Sequence, residues 1–274
     1  MSNFISATAL ASAISTQSVR VIDCRFDLFD EAAGAQLYAA GHVPGAVFFD
    51  SHTEFADLTK TGEGRHPLPE KAALAQLLGQ RGFADTSEIV VYDQTGSLFA
   101  ARAWWLLKYL GHENVRVLAG GFAAWEAEYP DSITQEKPSY PPAAFTVRPA
   151  LVEVVDEAQV LANITKPAFT LYDARAAERY RGEVEPLDAR AGHIPGALNL
   201  PFETLRNADG TLQHPVPLPE VSGPIGVYCG SGVSAAFLVL AFAEAGTHGV
   251  KLYPGSWSAW SANEQMPLAT GDKP

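Results

Sequence analysis

Short apolar runs alternate with longer amphipathic stretches along most of the chain. Residues 18–24, Glu88–Tyr92 and Val115–Leu118 are rich in Val, Ile and Leu and are bounded by polar or turn residues, which predicts short buried strands. Residues 71–82 and 98–110 carry apolar side chains at helical spacing. Later in the chain the pattern returns, with strands predicted over 168–172, Ile225–Tyr228 and 250–253. A helix is predicted over 234–245, with Gly246 placed to end it. Strand–helix alternation of this kind predicts an α/β architecture, a mostly parallel β-sheet flanked by helices.

The two halves also repeat one another. Val21-Ile22-Asp23-Cys24-Arg25 resembles Leu171-Tyr172-Asp173-Ala174-Arg175, and Gly41-His42-Val43-Pro44-Gly45-Ala46 matches Gly192-His193-Ile194-Pro195-Gly196-Ala197. Val91-Tyr92-Asp93 matches Val227-Tyr228-Cys229, and Gly120-Gly121-Phe122 matches Gly255-Ser256-Trp257. The matches keep one order, so the chain is two copies of one module rather than a solenoid, whose repeats are shorter and more numerous. Residues 130–149 hold Pro138, Pro141 and Pro142 among polar residues and read as an extended linker. The expected domains are therefore 1–138 and 139–274.

Composition narrows the function. A formal net charge of −12 over 274 residues opposes nucleic acid and anionic membranes as partners, and leaves an anionic substrate needing a local arginine or lysine cluster. Two cysteines, Cys24 and Cys229, suit reduced thiols and a cytoplasmic setting better than a disulfide framework. The first twelve residues lack a basic start and a sustained apolar run, so no signal peptide is expected. The most apolar run, 235–243, is too short to span a bilayer.

Cys229 carries the chemistry. It follows an apolar strand and precedes a helix, in Tyr228-Cys229-Gly230-Ser231-Gly232-Val233-Ser234. Ligands of open α/β sheets bind at the carboxyl ends of strands. Gly230 and Gly232 allow a sharp turn with amides aimed inward, and the next helix points its positive end at the same place. Both features favour a thiolate and an anion held above it. Such a thiolate suits attack on electrophilic sulfur, giving a persulfide. The competing reading, a small buried apolar side chain at a strand end, fits Cys24 better, because no glycine loop follows Cys24. Asp93 occupies the equivalent place in the first copy, so that copy is expected to lack the cysteine chemistry.

These residues resemble the tandem rhodanese family, and the resemblance covers nearly the whole chain. It rests on the paired Gly-His-(Val/Ile)-Pro-Gly-Ala segments, Arg179-Tyr180-Arg181-Gly182, the Cys229 loop and Gly255-Ser256-Trp257. It implies two rhodanese-like domains, the second catalytic, and sulfur transfer through a Cys229 persulfide with no cofactor and no metal. The loop Cys-Gly-Ser-Gly-Val-Ser is similar to that of members that take 3-mercaptopyruvate, whereas thiosulfate-preferring members place basic side chains after the cysteine. Gly230, Gly232, Val233 and Ser234 would line the donor site, and Ser234 keeps a hydroxyl. Arg179 aligns with the family's substrate arginine and would clamp a carboxylate. Leu187 stands after Glu185-Pro186 where related members often have a second arginine, which leaves Arg190 or Arg181 as substitutes. Ser231 and His66 match a proton relay; His52 stands where relatives have an aspartate, which leaves Asp50, Asp57 or no carboxylate to orient His66. The expected partners are a small-molecule sulfur donor and an acceptor such as thioredoxin or cyanide.

Other readings compete. A cysteine phosphatase also uses a cysteine-centred anion loop, but closes it with an arginine, and residues 230–235 contain no Arg or Lys. A non-enzymatic binding module suits the first copy, where Asp93 replaces the cysteine. His42 and His193 fall at equivalent places in the two repeats, which favours a shared local role over a zinc site. The tryptophans are expected in the core, with Trp257 facing the cleft.

Overall fold

The structure, a computed structural model, describes residues 2–274. It divides into two compact units. The first runs to Ala56 and takes in Pro69–Leu151 and Asn207–Leu212. The second consists of Asp57–Leu68, Val152–Arg206 and Gln213–Pro274. Each unit thus borrows a short segment from the other half of the sequence.

In the first unit the elements run β1 (Phe4–Ile5), α1 (Ala7–Ser15), β2 (Val19–Asp23), α2 (Ala33–Ala40) and β3 (Ala46–Phe48). They continue with α3 (Lys71–Gln80), β4 (Glu88–Tyr92), α4 (Leu98–Tyr109), β5 (Val115–Leu118) and α5 (Gly121–Glu128). The sheet order is β1-β5-β4-β2-β3, with every pairing parallel. The second unit repeats the plan with β6 (Glu153–Val154), α6 (Glu157–Thr165), β7 (Thr170–Asp173), α7 (Ala177–Tyr180) and β8 (Leu198–Asn199). Then come β9 (Ile225–Tyr228), α8 (Ser234–Glu244), β10 (Lys251–Leu252) and α9 (Ser256–Ala262), in a parallel sheet ordered β6-β10-β9-β7-β8. From β7 the chain moves outward to β8, and from β9 it moves the other way to β10. The crevice between the carboxyl ends of β7 and β9 is the switch point where open α/β sheets take their ligands.

The repeated motifs build one device in each unit. At the end of β2, Arg25 forks onto Asp23, 2.7 Å away, and reaches the Gly41 carbonyl at 2.7 Å. Both side chains are essentially unexposed. The Tyr92 hydroxyl donates to the same carboxylate at 2.6 Å and accepts the Val43 amide. In the second unit Arg175 binds Asp173 at 2.6 Å and the Gly192 carbonyl at 2.7 Å, while the Tyr228 hydroxyl accepts the Ile194 amide. Burial and the neighbouring Asp173 raise the Tyr228 phenol well above its ordinary range, so it stays a hydroxyl donor.

His42 stacks on Tyr38 and His193 on Tyr180, with ring centroids 3.9 and 3.8 Å apart. Each ring faces one carbonyl through Nδ1 and another through Nε2. The two histidines therefore do the same local work, pinning the loop before Pro-Gly. The proline-rich stretch after α5 lies along the first unit, through Ala143 to the Gly79 carbonyl and Tyr140 to the Gly45 carbonyl.

Candidate functional site

Cys229 stands one residue beyond β9, 2% exposed. The chain turns at once through Gly230, Ser231 and Gly232, the last at φ +81°, and Ser234 opens α8. Left-handed backbone is open to glycine without a Cβ clash, and here it swings the Gly232 amide back to donate to Cys229 Sγ at 3.2 Å. Eleven residues of almost wholly apolar helix follow, buried along Ala235–Phe242, so the positive end of α8 is fixed behind the sulfur.

The start of α9 holds the other side of the loop. Trp257 and Ser258 donate their amides to the carbonyls of Cys229 and Gly230, each at 2.9 Å. Ser256 Oγ accepts the Cys229 amide at 3.2 Å and donates to the Tyr253 carbonyl at 2.9 Å. Ser256 does this at φ +52°, where the first copy has Gly121 at φ +63°. A serine in left-handed backbone is strained, and its hydroxyl gives a reason for the strain: it satisfies the buried Cys229 amide. Ser256→Ala keeps the strain and loses the hydroxyl, whereas Ser256→Gly loses both. Ala is expected to be the less stable of the two by about 1–2 kcal/mol, read from urea unfolding midpoints. Equal midpoints would show that residue 256 stores no strain.

The first copy shows what this loop geometry does with an anion. Asp93 takes the place of Cys229, with Gly96 at φ +84° where Gly232 stands. Its carboxylate accepts the amides of Ser97, Phe99 and Ala100 at 3.1, 2.9 and 3.2 Å. Phe122 and Ala123 donate to the carbonyls of Asp93 and Gln94, as Trp257 and Ser258 do in the second unit. One scaffold is thus built twice, and in the first copy its amides are filled by the chain's own carboxylate.

Two guanidinium groups stand over the cysteine loop. A Cβ placed on Gly230 would lie 3.1 Å from Arg65 Nη2 and 3.5 Å from Arg179 Nη1, so only glycine leaves them this close to the loop backbone. Arg179 comes from α7 and is held by Glu185 at 2.6 Å and Asp188 at 3.4 Å. Arg65 comes from Asp57–Leu68 and pairs with Asp188. Burial pushes the Asp188 carboxyl up, against the pull of Arg65. His66, beside Arg65, is buried, as is Ser231 in the loop.

The structure thus brings Cys229, Gly230, Gly232 and Arg179 together and adds Arg65, which the sequence reading passed over in favour of its neighbour His66. The other two candidate arginines are engaged elsewhere. Arg190 gives its guanidinium to the carbonyls of Trp260, Ser261, Asn263 and Met266, closing the end of α9. Arg181 faces outward and pairs with Glu183 at 2.8 Å. Leu187 donates its amide to Glu185 at 3.1 Å. Asp50 and Asp57 each cap their own turn, Asp50 through the amides of His52 and Thr53 and Asp57 through the Thr59 hydroxyl at 2.6 Å. Trp257 does not face a cleft: it is fully buried beneath Arg175, whose guanidinium lies 4.7 Å from the ring. Val233 and Ser234 form the junction of the loop with α8.

Known proteins resemble the chain along nearly its whole length. The Rhodanese-like domain family matches residues 6–128 and 156–263. A Pseudomonas aeruginosa protein named "Probable 3-mercaptopyruvate sulfurtransferase" is 40% identical, over 98% of this chain and 98% of its own. A Mycobacterium tuberculosis protein that carries a thiosulfate sulfurtransferase name is 41% identical, over 97% of this chain and 96% of its own. The crystal structure of the 3-mercaptopyruvate sulfotransferase SseA from Escherichia coli superposes with a TM-score of 0.82 at 34% identity, covering 94% of this chain and all of SseA. With two matched domains and full-length relatives of this similarity, the chain belongs to the rhodanese family.

Proposed function

We propose that the chain is a sulfurtransferase that takes sulfur from 3-mercaptopyruvate, carries it as a Cys229 persulfide and passes it to a thiol or cyanide. The observation that supports this most is the pairing of a cysteine in an amide-lined loop with a guanidinium over the adjacent Gly230, while residues 230–235 contain no cation. A monocarboxylate donor can be held by guanidiniums at the loop's edge, and a thiosulfate dianion would want charge inside the loop.

The steps follow from those atoms. Arg179 holds the donor carboxylate and sets the donor's sulfur above Cys229. The thiolate attacks that sulfur, an S–S bond forms, and the donor's C–S bond breaks. The electron pair of the broken bond leaves as the enolate of pyruvate. His66 and Ser231 are the groups proposed to move the proton that turns the enolate into pyruvate. The Gly232 amide and the end of α8 stabilise negative charge on sulfur before and after transfer. An acceptor thiolate then attacks the outer sulfur and restores the Cys229 thiolate. Thioredoxin-like thiols are the proposed acceptors and the cytoplasm the proposed setting. Among the described residues no helix is long and apolar enough to cross a membrane.

Steady-state assays with both donors and a common acceptor test the reading. A higher kcat/KM with 3-mercaptopyruvate is expected, and a clear preference for thiosulfate would overturn it. The donor name of the Mycobacterium tuberculosis relative makes thiosulfate the specific rival. Arg179→Ala is expected to raise the KM for 3-mercaptopyruvate about 30-fold or more, from roughly 2 kcal/mol of lost charged hydrogen bonding. An unchanged KM removes Arg179 from the donor site.

A further inference from the structure

We infer that the first unit carries a binding site of its own, a groove beside the edge strand β3 that takes a small organic acid with an apolar or aromatic body.

The groove encloses about 440 Å³, within the range of roughly 300–1,000 Å³ that small-molecule sites occupy. Its floor is apolar. Ala35 and Ala39 stand one turn apart on α2, and Val47 and Phe48 come from β3. The rings of Tyr38 and Tyr140 complete this lining. Both are fixed by their hydroxyls, Tyr38 on the Ala46 carbonyl at 2.8 Å and Tyr140 on the Gly45 carbonyl at 3.0 Å. A ligand therefore meets walls that are already in place.

Charge singles out the occupant. Arg81 and Lys137 line the groove and no carboxylate does, in a chain where acidic side chains outnumber Lys and Arg by 31 to 19. Lys137 has no hydrogen bond or ion pair among the described residues, so its charge is uncompensated. Arg81 is braced from one side. Glu54 spans its Nη1 and Nη2, the Phe48 carbonyl takes Nη1 at 2.6 Å, and the guanidinium lies 4.4 Å from the Phe49 ring. A guanidinium has five N–H groups, and these contacts use three of them. What remains is Nε–H with the second Nη2 hydrogen, the side-on fork that grips a carboxylate or phosphate through two parallel bonds. The Arg81 side chain is 31% exposed, so an anion can reach it.

The same contacts exclude an added peptide strand. β3 ends the sheet, but its carbonyls at Ala46 and Phe48 are taken by Tyr38 and Arg81, which leaves an incoming strand without those acceptors. The second unit does not repeat the groove among its described residues. Between β8 and β9 it has the 3-10 turn Phe202–Leu205 where the first unit has α3, so nothing there stands in for Arg81. The copy with Asp93 in place of the cysteine thus has a pocket that the other copy lacks.

Benzoate and phenyl phosphate are the probes, and benzylamine is the control of opposite charge. Each is titrated into the full chain while backbone amide NMR signals are followed. Saturable shifts centred on residues 35–48, 80–81 and 137–140 are expected with at least one of the two anions, the tighter of which identifies the head group. Benzylamine should bind at least about tenfold more weakly. Ala39→Trp, which fills the groove from the exposed face of α2, should abolish the shifts. Ala35→Trp fills the same wall if Ala39→Trp does not fold. Lys137→Glu should weaken anion binding about fivefold or more at low salt, and should leave sulfur transfer unchanged. No saturable binding of either anion by about 10 mM overturns the site. Shifts confined to the Cys229 loop, or binding that both tryptophan variants leave intact, place the anion elsewhere and also overturn it. Equal affinity for benzylamine, or for wild type and Lys137→Glu, overturns the assignment to acids.

Discussion

Cys229→Ser is expected to lose sulfur transfer altogether, a fall of at least about a thousandfold in turnover, since an alkoxide at this position neither forms nor carries sulfane sulfur. The accompanying measurement is mass spectrometry after incubation with donor. Wild type should gain about 32 Da, one sulfur atom, on the peptide holding Cys229, and Cys229→Ser should gain nothing. Cys24 serves as the internal control. It is fully buried, its thiol donates to the Tyr92 carbonyl at 2.9 Å, and burial pushes it well above the ordinary thiol range. Cys24→Ser should therefore keep the adduct and the turnover. An adduct on Cys24, or none on wild type, would leave the second unit a binding module rather than an enzyme.

The largest expected loss of stability comes from Arg175→Ala. Arg175 is 2% exposed and satisfies Asp173, Glu185 and the Gly192 carbonyl together. Removing it leaves Asp173, itself fully buried, as an uncompensated charge at the end of β7. Breaking a buried pair from one side is expected to cost about 3–5 kcal/mol, visible as an early unfolding transition in urea. Arg181→Ala, which removes an outward-facing ion pair, should leave the midpoint in place. A loss below about 1 kcal/mol for Arg175→Ala would mean that the pair's desolvation cancels its attraction. The same variant should also loosen the site, because Glu185 is shared between Arg175 and Arg179.

Both predictions rest on features that the sequence displays unevenly. Buried central strands show well: β4, β5 and β9 fall at the residues their apolar runs predict, and α8 ends one residue before the predicted 245. The repeat is also visible, because Asp23-Arg25 and Asp173-Arg175 must each build the same buried pair from the same spacing. The edge strands β1, β6 and β8 are two residues long, too short for any period to declare itself. The four-residue α7 is invisible for the same reason, although it carries Arg179.

The site was legible where chemistry and backbone coincide and illegible where it depends on distant packing. Cys229, Gly230 and Gly232 announce themselves through a strand, a glycine turn and a helix in succession. Arg65 has no such local context; its place follows from contacts of Gly64 and Arg65 with the start of α9, nearly two hundred residues later in the chain. Arg190 misled for the opposite reason. Its position near Glu185-Pro186 suggested a substrate role, while four carbonyls in the last turn of α9 and just beyond it hold its guanidinium. The sequence's only hints of Arg65, which went unread, are the missing cation at Leu187 and its own place beside His66.

The filled loop around Asp93 has a consequence for how such a pair of modules can diverge. A side chain attached to the backbone is present at an effective concentration no dissolved anion matches, so the first copy's amides are permanently occupied and indifferent to the medium. Substituting a thiol for that carboxylate turns a fixed internal ligand into a group whose load comes and goes. Scaffold and catalyst can therefore differ in what sits in the socket rather than in how the socket is made, and a duplicated domain can change between the two without rebuilding its sheet.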